Sequence, residues 1–317
     1  MKRMHAVLAA LPMAALLTAC GGPSADDGRP SVVAASYPFA FVADRVGGSL
    51  VDLTNLTSPG TAPHDLELKP KQVGAVLDAD LVVYEKDFQA AVDQAVDQAD
   101  RDDDATIDVA SLVTMLPPPA EDEHEDEHAG EGEEHHAEDG HDHGDADPHT
   151  WLDPTTMVAL AKDVQKRLSA IDPDHADDFR ANADRLVDEL TTLDTEISTG
   201  LETCRTRTIV TSHAAFQYLA ARYDLKQVPI AGLEPSNEPS PSQLADITAL
   251  VRAEKITTIF TEELVSPAIA DTVARETGAV TETLDPIEGL SQDTADETYL
   301  TLMRKNLAVL QKANGCS

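Results

Sequence analysis

The chain is short of aromatic residues, of bases and of cysteine, and beyond its first residues it has no long apolar run. Aromatics make up 4% of 317 residues, with a single Trp. A core must therefore be built mainly from Ala, Val, Leu and Ile. Lys and Arg number 23 against 58 Asp and Glu, a formal charge of −35. A phosphate backbone attracts clustered bases, so the balance excludes nucleic acid as a partner. It also excludes docking on anionic lipid by charge. Cations are permitted. At 42% hydrophobic residues the chain can still bury a core, and its length suggests two domains.

The three cysteines divide into one and two. Lys2 and Arg3 form a basic start, residues 7–17 a short apolar run interrupted by Pro12, and Leu17-Thr18-Ala19-Cys20 follows. The run is too short to span a bilayer and reads as an export signal. Its end resembles a bacterial lipobox, which makes Cys20 the lipidated first residue of the mature chain; the other reading is an ordinary signal with a chance Cys. Residues 1–19 are thus expected to be a signal peptide and 20–30 a flexible tether. That places the protein on the outer face of the bacterial cytoplasmic membrane, anchored but not embedded. In such an oxidising compartment Cys204 and Cys316 are read first as a disulfide and otherwise as two free buried thiols.

The acidity is concentrated. Residues 121–148 hold 14 Asp and Glu, 6 of the 11 His and no base; without them −35 becomes −21. Nothing there is more apolar than Ala, so residues 119–147 are expected to be a disordered loop. Its His124, His128, His135, His136, His141 and His143 suggest weak, accessory metal binding; the alternative is a solubilising spacer. His124-Glu125-Asp126-Glu127-His128 matches the zinc-protease pattern H-E-x-x-H. That motif requires a core helix, and this segment follows Pro117-Pro118-Pro119 and has no apolar face.

Elsewhere short apolar runs alternate with helical patterns. Strands are expected at 31–36, 51–57, 81–84, 105–108, 208–211, 227–230, 257–260 and 280–284. Helices are expected at 38–46, 70–77, 88–99, 214–223, 241–253, 268–277 and about 293–313. This is the rhythm of parallel α/β domains. In between, apolar residues recur at helical spacing from Met157 to Leu168 and from Phe179 to Ile197. The second run, about 28 residues or roughly 42 Å, suggests a coiled-coil arm or a strut joining two domains. The expected organisation is 31–173, a linking helix at 174–202, and 203–317.

Outside the loop and the signal four His remain. His175 stands in the first turn of the long helix and reads as solvated. His64, His149 and His213 each stand where a strand meets a loop or at the acidic loop's edge. Ligands of parallel α/β sheets bind beyond the strands' carboxyl ends, so the three together favour a metal site between the halves.

Pro63-His64-Asp65-Leu66-Glu67, Asp147-Pro148-His149-Thr150-Trp151-Leu152-Asp153-Pro154 and Ser212-His213-Ala214-Ala215-Phe216 resemble, in order, the His motifs of the metal-binding lipoproteins of zinc and manganese ABC transporters. Residues 234–240 resemble that family's Pro-rich loop, and 284–290 the segment of its fourth ligand. The resemblance covers about 31–315. It implies two α/β domains with parallel sheets, a rigid backbone helix between them, and a metal in the interdomain cleft held by His64, His149, His213 and Glu288. Glu262 and Glu263 compete for the fourth place, as does a water. Three imidazoles and one carboxylate suit Zn²⁺; Mn²⁺ prefers more oxygen. The expected function is zinc capture and delivery to an ABC permease and its ATPase, by a monomer that is not an enzyme. Manganese delivery, an adhesin-type role and, from another class, a zinc hydrolase are the alternatives.

Overall fold

The computed structural model describes residues 28–118 and 146–317. The expected signal peptide, most of the tether with Cys20, and the acidic loop through residue 145, with its six His and the H-E-x-x-H match, lie outside the described residues.

Two four-stranded parallel sheets are formed. The first has the order β2-β1-β3-β4, from β1 (Ser31–Ala34), β2 (Asp52–Asn55), β3 (Leu81–Tyr84) and β4 (Thr106–Asp108). The second repeats it as β6-β5-β7-β8, from β5 (Thr208–Thr211), β6 (Lys226–Pro229), β7 (Thr258–Thr261) and β8 (Val280–Thr283). Inner strands β3, β5 and β7 are buried along their whole length, as expected where helices cover both faces. Pro229 ends β6 at a sheet edge, where its missing N–H breaks no ladder.

The helices start where local chemistry allows. Helices α1 (Tyr37–Gly47), α2 (Pro70–Asp78), α4 (Pro154–Ile171) and α7 (Pro241–Glu254) carry Pro in the first turn, where no N–H is needed. Ser240 caps α7: its hydroxyl accepts from the Gln243 N–H, and the Gln243 side chain accepts from the Ser240 N–H. Remaining helices are α3 (Ala90–Ala99), α5 (Ala176–Leu201), α6 (Gln217–Arg222), α8 (Ala268–Thr277) and α9 (Tyr299–Asn314). The last begins at Tyr299, not near 293, because Thr298 caps it.

Helix α5 is no projecting arm. Its apolar stripe from Phe179 to Leu201 is buried, and it packs on α1, α4 and α9. At 26 residues it is about 39 Å long. One core runs from the first sheet through α4 and α5 to Phe216, Phe260, Ile287 and Tyr299 of the second half. A smaller core lies between the second sheet and α7 and α8. Cys204 and Cys316 form a disulfide that ties the chain end to the start of the second half. Gly315 precedes it at φ +62°, and a side chain there would strike the Arg205 guanidinium. Among the described residues no helix is long and apolar enough to cross a membrane.

Candidate metal centre

Both sheets point their carboxyl ends at one place. His64 lies in the loop after β2, His149 just before α4, His213 two residues after β5, and Glu288 in the loop after β8. All four are buried, and one ligand atom from each lies within 4.8 Å of the others. Oε1 of Glu288 is 3.3 Å from Nε2 of His64, 3.4 Å from Nε2 of His149 and 3.2 Å from Nε2 of His213. The His149 and His213 Nε2 atoms are 3.4 Å apart. These are four of the six donor–donor edges, and the other two, from His64 to His149 and His213, are at most 4.8 Å. Edges of 3.2–3.4 Å are those of a tetrahedron whose centre lies about 2.0 Å from its corners, the distance zinc takes to imidazole and carboxylate.

Each imidazole has a carboxylate behind it. Nδ1 of His149 meets Asp147 Oδ1 at 2.7 Å, Nδ1 of His213 meets Glu262 Oε2 at 2.6 Å, and Nδ1 of His64 meets Glu234 Oε1 at 3.1 Å. A proton held on Nδ1 leaves the Nε2 lone pair free for a metal. Sequence reasoning missed this layer. It weighed Glu262 as a ligand, and the fold sets it behind His213 instead, with its other oxygen accepting the His213 N–H at 3.0 Å. Glu263 accepts from the Ser291 hydroxyl. Asp147 and Glu234 looked like the last acid of a tract and one residue of a Pro-rich loop. The available signals were weak: Asp147 stands two residues before His149, and Glu262 directly after a strand.

Local structure bends to serve this layer. The helix expected from 214 begins only at Gln217, because the His213 turn is claimed by other bonds. The Ala214 N–H donates to Gly232 O, and Gln227 and Thr211 both donate to His213 O. Glu288 follows Ile287, a β-branched residue at φ +57°, a backbone state costing of order 1–3 kcal/mol. Neighbours impose it. The Ile287 N–H donates to Asp285 Oδ1, Asn306 clamps the Asp285 backbone from both sides, and Trp151 Nε1 donates to Pro286 O at 2.8 Å. The strained turn thereby aims Glu288 at the three imidazoles.

Electrostatics follow from the crowding. Burial pulls the His64 imidazole down, but the Glu288 charge and bonds to Glu234 and Glu288 outweigh it and raise it to about 9. His213 is likewise lowered by burial and raised further by Glu262 and Glu288, to about 10. Burial would raise Glu288, yet His64, His149 and His213 hold it well below the usual carboxylate range. With no metal bound, the charges favour protonated His64 and His213 beside an ionised Glu288.

The base of the acidic loop emerges beside this centre. The Asp147 N–H donates to Leu116 O. The Tyr218 hydroxyl donates to Asp147 O and accepts from the Leu116 N–H.

The family described as "Zinc-uptake complex component A periplasmic" (ZnuA) matches residues 32–313. The zinc-binding lipoprotein AdcA of Streptococcus pneumoniae is 36% identical over 98% of this chain; the chain spans 61% of its length. The high-affinity zinc uptake system protein ZnuA of Bacillus subtilis is 33% identical over 93% of each chain. Among solved structures, the Zn(II)-bound ZnuA-like domain of S. pneumoniae AdcA superposes with a TM-score of 0.72 at 33% identity, over 90% of this chain and 99% of that one. The laminin-binding protein Lmb of Streptococcus agalactiae, described as a bifunctional adhesin and metal transporter, gives 0.75 at 32% identity, over 90% and 99%. Twin parallel sheets in the same strand order, three imidazoles and a carboxylate meeting where the strands end, and a family match from end to end of the fold all agree: the chain belongs to the ZnuA family of periplasmic zinc-uptake components.

Proposed function

We propose that the protein captures Zn²⁺ outside the cytoplasm and delivers it to an ABC permease powered by its own ATPase. One observation carries the reading: four buried donors, three nitrogens and one oxygen, converge within 4.8 Å of one another, with Glu288 Oε1 3.2–3.4 Å from all three imidazole Nε2 atoms, a donor set and spacing suited to zinc. The set is poor in oxygen, which favours zinc over manganese. It also uses four protein donors, leaving no open position for a substrate water, which favours a carrier over a hydrolase. Zinc is the cargo in this scheme, and His64, His149, His213 and Glu288 are its ligands. Lipidation at Cys20 would hold the protein by the membrane, and the monomer is the working unit. The six His of the acidic loop would gather zinc weakly near the centre, since the loop's base is fixed beside Asp147.

The test is metal analysis of protein purified without added metal, with zinc titration against a competing chelator. One tight equivalent is expected, with a change in the emission of Trp151, which is buried with its ring 5.4 Å from that of His149. His213→Ala should lower the affinity by orders of magnitude; an unchanged titration refutes the ligand assignment. A deletion strain should grow poorly under zinc limitation and normally under manganese limitation. The reverse pattern would overturn the choice of metal.

A further inference from the structure

The three carboxylates behind the imidazoles are not equivalent. Asp147 stands two residues from His149 and is buried with it, on the same segment. Glu262 follows β7, and β7 pairs directly with β5, the strand before His213; it too is buried. Each comes from the same part of the fold as its His, Asp147 from the same segment and Glu262 from directly after the strand paired with β5. Glu234 differs in two respects. It belongs to the second half yet reaches His64 of the first. It also sits on the loop at 232–240, where every residue is exposed or half-buried. The loop turns at Glu234 itself, where the Asn237 N–H donates to Glu234 O. Only the Glu234 carboxylate has measurable side-chain exposure, 16% against 0% for Asp147 and 1% for Glu262.

The consequence is mechanical. A His donates its Nδ1 proton to fix the plane of its ring, and the ring plane fixes where Nε2 points. For His149 and His213 the supporting carboxylate is buried and comes from the ring's own neighbourhood, as a hydrogen bond at His149 and a 2.6 Å charge contact at His213. For His64 the Nδ1 carboxylate comes from a surface loop of the other half.

Resting on the zinc reading above, we infer that Glu234 is a latch: a positioning residue on the 232–240 loop that holds His64 toward the metal and, when the loop withdraws, lets His64 turn away first. His64 is then the ligand through which zinc leaves, and a permease that draws the loop aside would trigger release. The remaining three donors stay in place, so the site is ready to be refilled.

The experiment measures zinc dissociation into excess chelator by stopped flow, with Trp151 emission as the signal, for wild type and variants. Glu234→Ala should release zinc about 10–100-fold faster, the usual range for losing such a support, with the association rate and the single equivalent unchanged. Glu234→Gln should recover most of the slow release, since its amide oxygen still accepts the Nδ1–H. In a His64→Ala background, Glu234→Ala should add nothing, because the residue acts through that imidazole. A uniform structural loosening would instead add to the His64→Ala effect, and that result overturns the latch. So does a Glu234→Ala rate equal to wild type when wild type binds its one equivalent. If wild type binds no stoichiometric zinc, the zinc reading falls and the latch with it.

Discussion

Zinc binding should expel protons well above the ordinary pH range of histidine. With His64 at about 9 and His213 at about 10 in the metal-free centre, both rings are almost fully protonated at pH 8. A metal that takes Nε2 of each must displace about two protons there, whereas two histidines at their ordinary value would together release under about 0.1. Calorimetric titration of zinc at pH 8, in buffers of different ionisation enthalpy, reads this number as a slope. The affinity should fall about 100-fold for each pH unit below 8. The unperturbed value of 6.5 would place the onset of that loss much lower; the carboxylates around the rings move it up. The same shifts act on stability. Both rings are raised, so their contribution to the metal-free fold is complete below about 6.5 and is lost as pH rises through about 9 to 10. The metal-free protein should lose melting temperature across that window, and the zinc-loaded protein should lose much less. Release of fewer than about 0.5 protons at pH 8 would refute the proposed charge balance.

Phe88 lies edge-on to His64 and within 5.2 Å of the Trp151 ring, so Phe88→Ala should cost about 3–5 kcal/mol in urea unfolding; a loss below about 1 kcal/mol would deny it a packing role. The Cys204–Cys316 bond spans 112 residues, and replacing both by Ser should cost about 4–5 kcal/mol on the chain-entropy account, read from the urea midpoint. Deleting the acidic loop should lower the total zinc bound and leave one tight equivalent. The deletion must stop before Ala146, because Asp147 holds His149; a shortened loop that loses the tight site refutes an accessory role.

Much of the fold could be read from local pattern. The inner strands β1, β3, β5 and β7 appear near their expected places because short apolar runs bounded by turn residues have few other uses, and Ser240-Pro241 announces a helix start by chemistry alone. Boundaries drifted where the site intervened. The residues after His213 have helical pattern, yet the His213 C=O accepts from Gln227 and Thr211 and the Ala214 N–H donates to Gly232 O. The long apolar stripe of α5 was equally consistent with an arm or a buried strut, since periodicity states that a face is covered and not what covers it.

Composition and residue type by themselves argued against nucleic acid as a partner, located the densest run of acid and six of the His in one tract, and made three His at strand ends candidates for a metal. The resemblance to metal-transport lipoproteins implied Glu288 as the fourth ligand. Only the tertiary structure decided what each acid does. Asp147, Glu234, Glu262 and Glu288 are all carboxylates in loops, but one faces the three Nε2 atoms and three stand behind the rings at Nδ1. Which nitrogen a carboxylate meets depends on how two sheets, joined by α5 and a shared core, bring distant loops together, and no spacing along the chain encodes that.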